Sequence, residues 1–134
     1  MSLTILLLAV LAVVAGVQFT RSDGPDSGCD GVRKAFERVS FVEQANDVPT
    51  ATVYREAGLA VRNASIDAAP AVAQDLSAIA DAYLRLSGLL QGFRADDAST
   101  YDVYEGNVGA IEVQQVAVDG RLPKVRAWLD HRCS

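Results

Sequence analysis

The chain has 134 residues, half of them hydrophobic and 22% charged, with a formal net charge of −5. That length supports one small domain beside a short terminal segment, and a domain of about a hundred residues buries only about two-thirds of its unfolded surface. The negative balance excludes sequence-independent binding to nucleic acid, which needs a positive surface to displace counterions.

The first element is an apolar run. Leu3 to Phe19 carries no charge, and only Thr4 and Gln18 are clearly polar. As a helix it spans about 26 Å, the short end of what crosses a hydrocarbon core of about 30 Å. A secretion signal has a shorter apolar region behind a basic flank, and no Lys or Arg precedes this run. A lipoprotein signal needs a cysteine directly after the apolar run. Cys29 instead follows Asp26-Ser27-Gly28, well beyond Phe19. Residues 1–20 are therefore expected to be a retained transmembrane helix. The alternative is a signal cleaved at the small residues between Val13 and Gly16. Ala9, Ala12 and Gly16 are spaced three and four apart, so they share one helix side and form a candidate packing face against another membrane helix.

Residues 21–28 form a polar linker, and residues 29–134 the domain proper. Cys29 opens that domain and Cys133 is its penultimate residue. Exposed terminal thiols are a liability in a reducing compartment, whereas in an oxidising one they are natural ends of a bridge. Closing a loop of about a hundred residues is worth about 4–5 kcal/mol in the chain-entropy model, comparable with the net stability of a small domain. Arg21, just after the apolar run, favours a cytoplasmic domain by the positive-inside rule. The cysteines favour the opposite side, and the expectation follows them: a single-pass cell-membrane protein with its C-terminal domain extracytoplasmic (periplasmic). At about 3.3–3.6 Å per residue, the linker holds Cys29 no more than about 33 Å from the bilayer. A bridge would then keep both domain ends on the membrane-facing side.

Within the domain the periodicity is helical. Val32, Phe36 and Val39 predict a helix over about 31–45, broken at Val48-Pro49; Val53, Ala57 and Val61 predict a second over about 50–63. Val72, Leu76, Ile79, Tyr83, Leu86, Leu90 and Phe93 make a stripe stepping by 4 and 3 over more than twenty residues. Pro70 suits its first turn, with Asp67 a candidate cap. Leu84 and Leu89 widen the apolar face, which favours the central helix of a bundle over a coiled-coil seam. Arg94 to Ser99 is a polar connector. Beyond it, Val108, Ile111, Gln115, Val118, Leu122, Val125 and Leu129 again step by 3 and 4, interrupted by Gly106, Gly109, Gly120 and Pro123. Two helices are expected, about 102–118 and 123–132, with a hairpin around Asp119-Gly120 as the alternative. The fold class is all-α: an N-terminal transmembrane helix followed by a small disulfide-closed helical bundle.

The Arg-over-Lys bias suggests a GC-rich bacterial genome, since only Lys34 and Lys124 are lysine. The cysteine that opens the domain, the Ala-rich helical middle and the ending Trp128-Leu129 with Cys133 resemble a diffuse group of small actinobacterial extracytoplasmic helical proteins. Many of that group are lipid-anchored at their cysteine, a point on which this chain departs. The resemblance implies an extracytoplasmic helical fold and no shared activity.

Chemistry-bearing motifs are sparse. His131, the single histidine, lies near Cys133, and a Cys–His dyad is weighed against a surface histidine beside a structural disulfide. One histidine excludes multi-His metal sites. Asp96, Asp97 and Asp102 lack EF-hand spacing, and no Walker or dinucleotide fingerprint occurs. The expectation is a non-catalytic accessory subunit without cofactor or metal, whose extracytoplasmic domain binds or caps a larger membrane protein complex. A helical carrier of a small apolar ligand such as a lipid is the alternative.

Overall fold

The computed structural model describes residues 28–133. The expected transmembrane segment, with Ala9, Ala12 and Gly16, lies outside the described residues. Among those described, no helix is long and apolar enough to cross a membrane.

The described chain is all-helical: α1 (Cys29–Glu43), α2 (Ala51–Asp67), α3 (Pro70–Leu89), a 3₁₀ turn (Ala98–Thr100), α4 (Tyr101–Gly106) and α5 (Val108–Arg132). The long helices run up, down, up and down, with α1–α2, α2–α3, α3–α5 and α5–α1 as packed neighbours. One pole holds Cys29, Cys133 and the α2–α3 turn. Gly28 sits there at φ 81°, where a Cβ would lie 3.2 Å from the Asp67 carbonyl oxygen. The other pole holds the α1–α2 loop and the long α3–α5 connector.

Every residue of the α3 stripe is buried within the chain's own bundle, from Val72 to Phe93. It meets Val32 and Val39 of α1, Tyr54, Ala57 and Val61 of α2, and Ile111, Val118 and Val125 of α5. Small residues let α2 and α3 close up. Ala57 and Ala80 are fully buried, and a Cβ on Gly58 would stand 3.2 Å from both Leu84 and the Tyr83 Cβ. The alanines thus draw helix backbones together, an arrangement in which neighbouring side chains occupy the space they leave.

Four boundaries differ from the sequence reading. First, α1 starts two residues earlier and ends at Glu43. Second, α2 runs past Asn63 to Asp67, so Asp67 ends α2 and does not cap α3. The α3 N-cap is Ala69, which has no side-chain cap bond, and Ala68 and Ala69 are extended at ψ 156° and 143°. Pro70 disfavours helical geometry in the residue before it and itself fits the first helical position. Third, α3 stops at Leu89. Gly92, at φ 83°, turns the chain so that Phe93 reaches the core from the connector.

The fourth and largest correction is in the C-terminal quarter. In place of helices at 102–118 and 123–132, α5 is continuous through Pro123, and the hairpin alternative is absent because Asp119 and Gly120 are helical. The break falls at Asn107. Its side-chain amide donates to the carbonyls of Leu89 (3.3 Å) and Val103 (3.0 Å), while its own carbonyl accepts from the Ile111 N–H. Pro123 lies on the exposed face, so its missing N–H leaves the Asp119 carbonyl near solvent and not in the core.

Candidate functional site

Three places gather polar or chemically active side chains. At the first pole, Cys29 and Cys133 form a disulfide with Cα atoms 5.7 Å apart. Arg33 reinforces it: one guanidinium nitrogen pairs with Asp30 at 3.2 Å and the other donates to the Cys133 carbonyl at 3.1 Å. Cys133 therefore offers no thiolate, and exposed His131 has no cysteine nucleophile to activate. The pairing joins α1 to the end of α5, across the least closely packed of the four helix seams.

Higher up that seam lies the second place, an open groove of ≈ 280 Å³. The Arg126 guanidinium covers the Phe36 ring at 5.6 Å and bridges the seam. Above it, Glu43 takes a 2.8 Å hydrogen bond from the hydroxyl of fully buried Tyr83. Loss of water around Glu43 raises its pKa, the Tyr83 bond lowers it in part, and the Asp119 charge raises it further. Burial likewise pushes Tyr83 up, seconded by the negative charge of Glu43. Tyr54 packs edge-on against Tyr83, with centroids 5.2 Å apart, and burial with the Glu43 charge moves it up to about 12. Gln115, the polar member of the α5 stripe, offsets part of that rise. Both tyrosines thus stay protonated across the physiological range. Among the described residues, no buried side-chain nitrogen or oxygen lacks a hydrogen-bond partner.

The third place is the distal pole. Phe93, Tyr101 and Tyr104 cluster there, with Phe93 centroids 6.0 Å from Tyr101 and 5.6 Å from Tyr104. With Asn46, Asp47 and Glu105 they line a pocket of ≈ 290 Å³. The connector that carries them is fixed by its own hydrogen bonds. The Thr100 hydroxyl accepts from the Arg94 N–H at 2.9 Å and lies within donor range of the Asp97 carbonyl at 2.7 Å. The Tyr101 hydroxyl donates to the Ala95 carbonyl at 2.6 Å, and Asp97 accepts from the Ser99 N–H and hydroxyl. Arg94 pairs with Asp96 and holds that carboxyl below its ordinary range. All three aspartates noted in the sequence are thus engaged locally, Asp102 by accepting from the Val103 N–H at 3.0 Å. No group of three His, Cys, Asp or Glu able to hold a metal occurs among the described residues.

Charge separates the two poles. Residues 44–50 and 90–107 hold Asp47, Asp96, Asp97, Asp102 and Glu105 against Arg94 alone, whereas the rest of residues 28–133 hold ten acidic and ten basic side chains. The domain's net charge therefore resides at the distal pole. The sequence reading missed this pocket, because its walls come from loops that meet only in three dimensions. A count of charge by segment would have marked the region.

No protein-family model matches the chain, and neither a curated protein nor a solved structure matches it.

Proposed function

We propose that this domain is a non-catalytic binding module, carried by a membrane anchor at residues 1–20, that docks its distal pole onto the extracytoplasmic side of a larger membrane complex. The observation that carries the reading is the polarity of the bundle. The disulfide gathers both domain ends at one pole, beside the short linker, which leaves the opposite pole to be presented. The connector at that pole, rigidified by internal hydrogen bonds, lowers the ordering cost of docking. Space for an apolar ligand in the core, on which the carrier alternative rests, is not favoured by alanines that serve close helix packing.

The test is purification of the native protein in mild detergent. Co-migration with a large complex of defined composition, and an intact N-terminus, are the expected results. Migration alone contradicts docking, a monomer carrying extractable lipid favours the carrier, and a mature chain starting near Gly16 or Val17 removes the anchor. The anchor's small residues belong to the same proposal. Ala12→Leu with Gly16→Leu should leave the protein in the membrane but loosen its association, since bulk there blocks close helix approach. Wild-type stoichiometry of the double variant in the complex would contradict docking through that face.

A further inference from the structure

The distal pocket combines three properties: aromatic walls, a carboxylate rim and no cation of its own. Phe93 is buried at its base, and the rings of Tyr101 and Tyr104 tilt against it at 35° and 40°. Asp47 and Glu105 line the same pocket, and neither is ion-paired among the described residues. The one basic side chain of the two polar loops, Arg94, is engaged with Asp96 and does not line the pocket. If this cluster served only to plug the end of the bundle, apolar side chains without charge would do so at no electrostatic cost. Here the surrounding loops instead hold the whole net negative charge of the domain.

We propose that this pocket receives an arginine side chain from a basic segment of the protein partner, which identifies the docking element within the reading given above. A guanidinium fits on two counts. Its planar face stacks on aromatic rings, and its fork of N–H donors matches a carboxylate. The excess acid around the pocket steers a basic segment toward it and makes the encounter salt-dependent. The fixed connector presents the rings without reordering, so little of the contact energy is lost to loop entropy.

The experiment uses the full chain in detergent micelles and a fluorescent peptide of alternating glycine and arginine, with a citrulline peptide as its neutral isostere. The arginine peptide should bind at least about tenfold more tightly than the citrulline peptide, and more tightly than a lysine peptide of equal charge. Asp47→Asn with Glu105→Gln should weaken arginine-peptide binding about tenfold. Tyr101→Leu should weaken it several-fold and by more than Tyr101→Phe, which also loses the Ala95 bond but keeps the ring, and Asp130→Asn at the opposite pole should leave it unchanged. Equal binding of arginine and citrulline peptides overturns the proposal, as does wild-type affinity in both pocket variants. Equal binding of lysine and arginine overturns the guanidinium assignment, since an ammonium also sits over aromatic rings. Co-purification separates this failure from that of the broader reading. Pocket variants that still co-migrate with the complex refute the arginine site alone, whereas a wild-type protein that migrates alone refutes docking itself.

Discussion

At the scale of single residues, Glu43 and Tyr83 join titration to packing. Burial raises the Glu43 pKa above its ordinary value of 4.5, and the Tyr83 hydroxyl compensates only in part. A carboxyl whose folded pKa is raised gives stability that is present in full below the unfolded value and lost as pH rises through the folded value. Glu43→Gln keeps an acceptor for Tyr83 and removes the charge. The variant should therefore melt above the wild type at pH 7, with the difference shrinking toward pH 4; a constant difference across that range would contradict the pKa shift. Gly58 is constrained by volume, since a Cβ there would stand 3.2 Å from Leu84 and Tyr83 and a neighbour would have to give by a few tenths of an ångström. Gly58→Leu should destabilise by about 1–3 kcal/mol through overpacking, read as a lowered denaturation midpoint at unchanged slope. Residues of these two kinds were unequally visible in the sequence. Tyr83 was legible as a core position because it falls on a 4–3 stripe. The need for glycine at 58 was not, since it depends on which residues of α3 approach from outside the local pattern.

At the scale of elements, the sequence located the helices better than their ends. The α3 stripe, the broken Val48-Pro49 turn and the 3–4 spacing of α5 all correspond to observed structure. Pro123 misled because proline disfavours the helix interior by local energetics, about 3 kcal/mol relative to alanine, whereas burial of Val118, Leu122 and Val125 against α3 holds α5 together across it. Asn107 breaks the chain instead, through side-chain bonds to Leu89 and Val103 that no local pattern announces. Pro123→Ala restores an N–H for the Asp119 carbonyl and should stabilise the domain by about 1–3 kcal/mol. Hydrogen exchange at position 123 as slow as at the neighbouring helical amides would check the new bond. An unchanged or lowered melting temperature would show that the bundle is fitted to the proline.

At the scale of the whole molecule, a single covalent closure organises the poles. The disulfide spans 104 positions and ties α1 to the end of α5, along the seam that packs least. Cys133→Ser should cost about 4 kcal/mol, on the order of 15–25 °C in melting temperature for a domain of this size. Equal melting of variant and wild type under oxidising conditions would show the bridge to be energetically idle. Cysteine placement made this pairing legible in advance. The acidic aromatic pole was hidden because the loop at Asp47 and the connector at Tyr101 are adjacent only after α2 and α3 have folded back. Geometry then separates the pole that holds Cys29 and Cys133 from the acidic aromatic pole. Site-specific photo-crosslinking in the intact cell envelope tests that separation most directly, with the crosslinker placed at Ser99 in the distal connector or at Asp130 beside the disulfide. A discrete membrane-protein adduct is expected from position 99 and none of that size from position 130; the same adduct from position 130 alone, or none from either, would refute docking through the distal pole.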